Sequence, residues 1–467
     1  MTKTTPPTPT SPTTTTQNPT TDTWEPTTDR WEPTTNTREP TADTQEPTTD
    51  TQEPTTNTQE PTTYAREPTT DTQESTHDAP RRALLLLMAV ATGLSAAGNY
   101  FAQPLLDLIT RDLHISPLLA GLVVTASQGG YALGLLLLVP LADVLDRRRL
   151  AVTLMAATAV FLALTAAAPS GPFLLAGTVL VALTAVGAQV VVGIASALAP
   201  PETRGRAVAT VMSGVLLGGL LARTASGALA GFGGWRTVYW VSAIPVAAMA
   251  LLLHRYLPRV RSTVSLTYPA LLRSGFRLLR EEPLLRWRCA LGAFSLASYS
   301  VQLTSLTFLL ARPPFGWSEA AIGIFGLVGA VGVLTMTFAA RFGDRGYAQH
   351  VTGLGIVLLG GAWMLLLAGE RSLLWLSIGI VALNIGQQAV LNSSQTVLYG
   401  LRPEARNRLN SLFMTSFFVG GALGSALTAL VWAHTGWSGV CMLGALLATG
   451  ALTTWTLERL TPGAGRA

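Results

Sequence analysis

Charged residues within apolar segments are the ones that could bind a ligand or a proton in this chain. Arg223 lies deep within an apolar segment. An arginine at the centre of a membrane helix costs at least about 2.5 to 3.5 kcal/mol, so Arg223 must face a watery path or a partner. Two interpretations are open. In the first, Arg223 is a structural group that donates hydrogen bonds to backbone carbonyls. In the second, it is functional, and it either binds an anionic group of the substrate or acts as the counter-charge of a proton-binding acid.

Carboxylates that could carry protons are scarce in the apolar segments. Such a group needs access to both sides of the membrane and a pKa raised by desolvation, so that it titrates near neutral pH. No Asp or Glu lies in the middle of an apolar segment. Asp107, at the end of the first segment, forms with Arg223 the best available pair for coupling to protons. Proton coupling could equally be absent.

Metal, redox and covalent chemistry find no support in the sequence. The histidines lie in the N-terminal tail or at segment ends without metal-ligand spacing, and the two cysteines stand on separate segments. We therefore expect no metal, no cofactor and no enzymatic activity. The alternative of a scaffold or sensor, with the N-terminal tail as a docking arm, would be excluded if path mutations abolished transport while the tail proved dispensable.

Twelve apolar segments must position these groups. Each holds about 20 residues or somewhat more, enough to cross a bilayer as a helix. Their spans are 83–106, 118–140, 149–168, 172–198, 206–231, 235–256, 287–310, 319–340, 350–369, 373–398, 408–432 and 437–457. We predict an all-α membrane protein of two six-helix halves, because the one longer connection separates the sixth segment from the seventh.

The two halves are copies of one unit. Pro201-Glu-Thr-Arg-Gly-Arg206 recurs 202 positions later as Pro403-Glu-Ala-Arg-Asn-Arg408, and the match continues without a gap to Gly436-Trp437. A duplicated membrane transporter carries its substrate path between its halves. The repeat therefore predicts a transporter whose partner is a small molecule bound near the middle of the bilayer.

Arginine placement predicts the orientation. Residues 81–467 hold 27 arginines against twelve acidic residues, and the loops after even-numbered segments carry most of the arginines. Cytoplasmic loops are the arginine-rich ones, so both termini should be cytoplasmic and nucleic acid is not the partner. The central connection, with Arg273, Arg277 and Arg280 beside leucines, predicts a basic amphipathic helix on the inner leaflet. We expect no obligate protein partner.

Residues 1–80 form a tandem array of seven-residue units such as Glu-Pro-Thr-Thr-Asp-Thr-Gln. One proline per unit would break a helix at every second turn, and no apolar a/d pair supports a coiled coil. We predict a disordered tail without the apolar core of a signal peptide. An expanded repeat without selected function, a tether or interaction arm, and upstream sequence from a mis-assigned start all remain open.

The connection between the second and third segments carries the most specific motif. Pro140-Leu-Ala-Asp-Val-Leu-Asp-Arg-Arg-Arg149 resembles the Gly-x-x-x-Asp-Arg-x-Gly-Arg-Arg signature of the major facilitator superfamily. Val139 and Asp146 stand where that signature has glycines. The resemblance implies two six-helix bundles that alternate in access. It also implies a cytoplasmic gate held by ion pairs and a helix dipole.

The implied gate residues are Asp143, Asp146, Arg147 and Arg148, with a worn copy at Asp344 and Arg345 in the second half. The domains that follow are a tail (1–80), an N-terminal bundle (81–256), a linker (257–286), a C-terminal bundle (287–458) and a short C-terminal tail (459–467).

Two further stretches resemble one branch of this superfamily. Asn99-Tyr-Phe-Ala-Gln-Pro104 and Ala222-Arg-Thr-Ala-Ser-Gly227 are similar to bacterial drug:proton antiporters and to proteins labelled sugar or drug efflux permeases. The antiporter element of the fifth helix lacks its proline here. The resemblance implies export of a small amphipathic drug-like or sugar-like molecule by proton antiport across the cell membrane. Uptake, or passage without a proton, is the alternative.

In this superfamily the first, fourth, seventh and tenth helices line the substrate path. In this chain those segments hold polar side chains that an apolar span would avoid, and the second segment adds Gln128. Polar contacts between helices are the competing interpretation and average about 0.6 kcal/mol each. The substrate-path candidates are Asn99, Tyr100, Gln103, Gln128, Gln189, Tyr299, Gln302, Asn384, Gln388 and Asn392.

Overall fold

The structure is a computed structural model that describes residues 74–200, 202–260, 267–329, 347–402 and 405–461, with side chains from residue 82 onward except at residue 117. All regular structure within these ranges is helical. The predicted N-terminal tail up to residue 73 lies outside the described residues, as do the second gate copy and the last six residues of the chain.

Thirteen α-helices occupy the described ranges. They are α1 Glu74–Ala97, α2 Leu106–Asp112, α3 Pro117–Leu137, α4 Arg147–Ala166, α5 Gly171–Ala185, α6 Gly187–Leu198, α7 Arg204–Tyr256, α8 Tyr268–Glu281, α9 Pro283–Leu310, α10 Glu319–Phe325, α11 Ala348–Ala368, α12 Leu373–Leu401 and α13 Arg406–Leu460. Short 3-10 turns cover Gln103–Leu105, Pro140–Asp143 and Gly326–Gly329.

The helices give the predicted twelve spans. Eight helical stretches among the described residues are long and apolar enough to cross a membrane, and two shorter apolar stretches lie at Arg82–Ala97 and Glu319–Gly329. Two of the eight, α7 and α13, each hold two spans. The all-helical fold with twelve spans is therefore confirmed, and residues 330–340 of the eighth predicted span lie outside the described residues.

Glycines make the bend inside each double-length helix. The backbone leaves helical geometry at Gly233 and Gly234 in α7, where Gly234 has φ of 79°. The equivalent Gly436 in α13 has φ of 63°. Side chains disfavour positive φ, and glycine adopts it without steric cost. The repeat therefore keeps glycine at the turn that joins the last two spans of each half.

The first predicted span is not one continuous helix. α1 ends at Ala97, and the chain passes through turns and a 3-10 segment before α2 begins. Pro104 has no N–H to continue a helical ladder. Ser127 Oγ donates hydrogen bonds to Asn99 O (2.9 Å) and Asn99 Oδ1 (2.5 Å). These contacts fix irregular backbone at the level of the polar residues.

Small residues bring two helix pairs into backbone contact. A Cβ added at Gly218 would collide with the backbone of Gly93, and one added at Gly420 would collide with that of Ala293. Helix α7 thus packs closely on α1, and α13 packs on α9. Close backbone approach at small residues is a common way for membrane helices to associate.

The two halves meet along two helix pairs. The first is α3 with α13. A Cβ at Gly121 would lie 2.5 Å from Ala429 Cβ near one end of this pair. At the other end Ser411 Oγ donates to Leu135 O over 2.9 Å. The rings of Tyr131 and Phe418 pack between these ends at 4.6 Å.

The second pair is α7 with α10. Thr224 Oγ1 donates to Gly323 O over 3.1 Å. A Cβ at Gly227 would lie 2.5 Å from Glu319 O, so these backbones are also close. Both contacts lie towards the end of the molecule that is opposite the arginine-rich loops.

The linker contains an amphipathic helix, α8. Its apolar side is buried against the bundles at Leu271, Gly275 and Leu278. Tyr268 OH donates to Leu137 O of the N-terminal half, and Arg408 of the C-terminal half donates to Ser274 Oγ. The helix therefore contacts both halves at the arginine-rich end.

Candidate functional site

A small cavity lies between the halves. Its polar lining comes from four elements, namely the 3-10 turn after α1, α7, α9 and α12. The polar residues are Gln103, Arg223, Tyr299, Gln302, Thr307 and Asn384, and the other lining residues are Pro104, Leu303, Leu306, Ile322, Gly323, Phe325, Gly326, Gly329 and Ile380. The volume open to water-sized groups is about 40 Å³.

Arg223 supplies the positive charge of this cavity. Its guanidinium carbon lies 5.2 Å from the centre of the Tyr100 ring, in a cation–π contact. Its Nε is buried without a hydrogen-bond acceptor. Among the ion pairs of the described residues, none involves Arg223. The cation is thus held by an aromatic face rather than by a carboxylate.

Amide and hydroxyl groups surround this charge. Tyr299 OH donates to Asn384 Oδ1 over 3.0 Å, which orients both side chains. Gln103 is 4% exposed and Gln302 is 1% exposed, and the Oε1 atom of each has no donor. Buried amide oxygens without a donor cost about 1 to 3 kcal/mol each. The cavity is therefore lined by one cation and by two glutamines whose oxygen atoms lack donors among the described residues.

A second, larger cavity of about 950 Å³ lies at the arginine-rich end. Helices of both halves line it, together with Leu271 and Gly275 of α8. Its lining includes the exposed residues Arg204 and Arg406, so the cavity reaches the surface there. It shares no lining residue with the small cavity. The predicted orientation makes this end the cytoplasmic one.

Two of the predicted gate residues border the larger cavity. Asp143 and Arg147 line it and form an ion pair of 3.1 Å, and Arg147 Nε also donates to Ala142 O. Asp146 accepts from the backbone N–H of residue 149 and caps α4. Arg148 donates to the carbonyl of His254. Asp344 and Arg345 lie outside the described residues.

The two proton-coupling candidates lie apart. Asp107 pairs with Arg111 one helical turn along α2, over 2.5 Å. Arg223 packs on Tyr100 instead, and the described residues contain no ion pair between Asp107 and Arg223. The structure therefore does not join them in the conformation that it describes.

The other path candidates divide into three groups. Asn99 is bound by Ser127, and Gln128 Nε2 donates to Ser300 Oγ of the other half over 2.9 Å. Gln189 lines the larger cavity. Gln388 and Asn392 each hold a buried amide atom without a partner, on α12 between the levels of the two cavities.

Comparison with known proteins identifies the family. The sequence profile described as Major Facilitator Superfamily matches residues 88–350 and 315–466. The chain belongs to this superfamily. Its members are transporters, so the protein is a multi-pass membrane transporter and not an enzyme.

Relatives of this major facilitator differ in how much their names say. Uncharacterized transporter YgaY of Escherichia coli O157:H7 is 48% identical over 373 residues, which are 80% of this chain and 95% of that protein. Chloramphenicol resistance protein of Streptomyces lividans is 28% identical over 381 residues, which are 80% of this chain and 94% of that protein.

A solved structure supports the fold. A bacterial homolog of the human lysosomal transporter Spinster, crystallised in an inward-facing and occupied conformation, aligns with a TM-score of 0.61 at 17% identity. The alignment covers 81% of this chain and 95% of that protein. At this identity the likeness concerns the arrangement of helices alone.

One charged cluster of this major facilitator was missed by sequence reasoning. Arg288 and Glu458 are fully buried and form an ion pair of 2.6 Å between α9 and α13. Thr352 and Gln349 of α11 complete the cluster through hydrogen bonds of 3.1 and 3.2 Å. Both ionic residues lie next to predicted segment ends, where charges are ordinarily solvated. A comparison of the two repeats position by position would have found them, since neither has a charged counterpart.

Proposed function

We propose that this transporter exports a small amphipathic drug-like or sugar-like molecule in exchange for protons, through a path between its two halves. One observation carries the proposal. The cavity at Arg223 is lined by polar side chains from both halves, so a relative movement of the halves would change its access. The name of the Streptomyces lividans relative, a chloramphenicol resistance protein, supports export.

Alternating access would then proceed by rocking of the halves. The contacts of Gly121 with Ala429 and of Gly227 with Glu319 close the path at one end. The larger cavity gives access at the arginine-rich end. Export requires that the first contacts open while the larger cavity collapses. The ion pair of Asp143 with Arg147 lies where that collapse would occur.

Proton exchange assigns a role to Asp107. In this proposal the carboxylate takes up a proton when it leaves Arg111, and it releases that proton when it comes within reach of Arg223, because a nearby positive charge favours the ionised carboxylate. The alternation of partners would link protonation to the position of the substrate. Release of the substrate would restore the pair between Asp107 and Arg111, which the structure describes.

Inverted membrane vesicles that contain the full chain and a pH-sensitive dye test this function. After energisation, chloramphenicol and panels of sugars and amino acids are added in turn. We expect one compound class to release protons, and Asp107→Asn or Arg223→Ala to abolish that release. Arg312→Ala is the matched control, because Arg312 lies over Trp432 outside the small cavity. No proton release with any class, although labelled substrate crosses, contradicts antiport.

Passage without a proton is a second candidate. It is favoured by the lining of the small cavity, which contains no carboxylate among the described residues. A facilitator needs only a binding site that is exposed alternately to the two sides. In vesicles without a pH gradient, a labelled substrate would then equilibrate at the same rate in wild type and Asp107→Asn.

A further inference from the structure

We propose that the small cavity binds the carboxylate of a small hydroxylated organic acid, with Arg223 as the anion-binding group. This inference rests on the proposed transport path and adds the class of substrate. It follows from the charge of Arg223, which forms no ion pair among the described residues, from the two glutamine oxygens that lack donors among the same residues, and from the size of the cavity.

The guanidinium of Arg223 forms no ion pair among the described residues. Arg223 lies within a membrane helix, and such a cation ordinarily has a counter-ion, a carbonyl cluster or water. The Tyr100 ring covers part of the guanidinium, and Nε has no acceptor. By contrast, Arg288 in the other half has Glu458 within 2.6 Å. An anionic ligand would give Arg223 the partner that the described side chains do not supply, and guanidinium matches the planar geometry of a carboxylate.

The side-chain oxygens of the two glutamines in the lining lack hydrogen-bond donors among the described residues. Gln103 Oε1 and Gln302 Oε1 are buried acceptors that require a donor. A ligand hydroxyl can donate to one of them, whereas an aldehyde or an ether cannot. Rotation of either amide would present its NH₂ group to a carboxylate oxygen instead. Both orientations favour a ligand that combines a carboxylate with a hydroxyl group.

The volume of the small cavity limits the size of the ligand. A volume of about 40 Å³ corresponds to roughly three water-sized groups at about 10 to 15 Å³ each. A molecule of a few heavy atoms fits in that space. The remaining lining is apolar at Leu306, Ile322 and Ile380, which suits a short carbon skeleton.

An anionic substrate also changes the driving force. The membrane potential alone moves an anion out of a cell that is negative inside. A potential of about 100 mV sustains roughly a fifty-fold concentration ratio for one elementary charge. The potential therefore assists export of such an acid with or without proton exchange, so the site is compatible with antiport and with the second candidate, passage without a proton.

Three matched probes test the site on the purified full chain. L-lactate carries both groups, lactamide replaces the carboxylate by a neutral amide of similar shape, and propionate lacks the hydroxyl. Dissociation constants are obtained from the shift of the thermal unfolding midpoint with probe concentration. We expect lactate to bind at least tenfold more tightly than lactamide, and about threefold more tightly than propionate.

Variants assign each preference to a residue. Arg223→Gln should bind lactate and lactamide equally, and Arg223→Lys should keep part of the preference for lactate. Gln302→Met should lose the preference over propionate and retain that over lactamide, which tests the site even if Arg223→Gln does not fold. Arg312→Gln should behave as wild type, because Arg312 lies outside the cavity.

Two results would overturn the site: equal affinity of wild type for lactate and lactamide, or an unchanged preference for lactate in Arg223→Gln. Flux of labelled lactate into proteoliposomes at a fixed potential separates this inference from the proposed function. Binding of lactate that depends on Arg223, without transport of any compound, supports the site and contradicts the transport path. Transport of another compound that lactate does not inhibit contradicts the site and leaves export standing.

Discussion

The two halves of this major facilitator share their packing and differ in the charged residues inside their helix bundles. Gly218 contacts Gly93 in the first half as Gly420 contacts Ala293 in the second. The position equivalent to Arg223 is Ser425, which shares a hydrogen bond of 3.0 Å with Thr304. Helix contact depends on the absence of side chains and is kept in both copies, whereas the ionic groups inside the helix bundles differ between the halves.

The second half in turn has buried charges at positions where the first half has none. Gly93 in α1 and Ala293 in α9 make equivalent helix contacts, and this alignment makes Met88 the counterpart of Arg288. The repeat offset of 202 makes Tyr256 the counterpart of Glu458. The first half therefore holds apolar or neutral groups where the second holds a buried ion pair. The two intramembrane arginines differ accordingly, because Arg288 has a fixed counter-ion and Arg223 faces a cavity.

The largest effect is expected when this ion pair loses one member. Arg288→Met leaves Glu458 buried with Gln349 as its remaining donor. Removal of one partner from a buried pair costs about 3 to 5 kcal/mol, because the other charge stays desolvated. We expect a strong loss of folded protein and a lower thermal midpoint in detergent.

The double variant Arg288→Met with Glu458→Leu is the informative control. Replacement of a buried pair by apolar residues of similar volume is often neutral or stabilising. Recovery of the midpoint in the double variant would show that the second half can do without the pair, as the first half does. A double variant as unstable as Arg288→Met would instead assign the cluster a structural role that apolar packing cannot replace.

The close glycine contacts of α7 with α1 and of α13 with α9, here called the seams, predict an effect of equal size in both halves. Gly218→Ala and Gly420→Ala each place a methyl group against backbone atoms of the neighbouring helix. Overpacking of this kind costs about 1 to 3 kcal/mol. Gly231→Ala and Gly361→Ala are matched controls, since an added Cβ meets no atom within 4 Å at either position. Thermal midpoints that fall in one half only would show that the seams are not equivalent.

Sequence alone predicted the features that repeat or that follow hydropathy. The twelve spans and the two halves follow from composition and from the offset of 202, which also aligns Gly234 with Gly436. The interruption after Ala97 was not predicted, because it depends on the contact of Ser127 with Asn99 across two helices. Neither was the burial of Glu458, since a charge beside a span end is ordinarily solvated.

The candidate site was predicted in part. Polar residues on the first, seventh and tenth helices were selected by type, and the structure brings Gln103, Tyr299, Gln302 and Asn384 together with Arg223. Gln388 and Asn392 were selected by the same criterion and line neither cavity. Side-chain type identifies a polar helix face, but the tilt and rotation of the helix decide which of its residues reach a cavity.

A smaller effect is expected at the counterpart of Arg223. Ser425→Ala removes the hydrogen bond to Thr304, and such bonds between membrane helices average about 0.6 kcal/mol. The thermal midpoint should fall slightly, and the preference for lactate over lactamide should stay unchanged. A loss of that preference would mean that the two equivalent positions act on one site, contrary to the division of roles between the halves.

The smallest effect concerns the end opposite the arginine-rich loops, where each half uses its repeated tryptophan differently. Trp235 Nε1 donates to Asp112 over 2.9 Å, and Arg236 binds the same carboxylate. Trp437 Nε1 donates instead to the uncharged carbonyl of Leu366. Only the first of these contacts contains a group that titrates.

The hydrogen bond from Trp235, followed by that from Arg236, holds the pKa of Asp112 below its ordinary value. A lowered pKa stabilises the folded state above the ordinary carboxyl pKa of about 3.9, and this contribution is lost as the pH falls through the lowered value. Asp112 is about half exposed, so the contribution stays below about 1 kcal/mol. The difference in thermal midpoint between wild type and Asp112→Asn should therefore shrink between pH 6 and pH 3. Trp437→Phe should differ from wild type by the same amount across this range, and a pH-dependent difference there would contradict the contrast between the two ends.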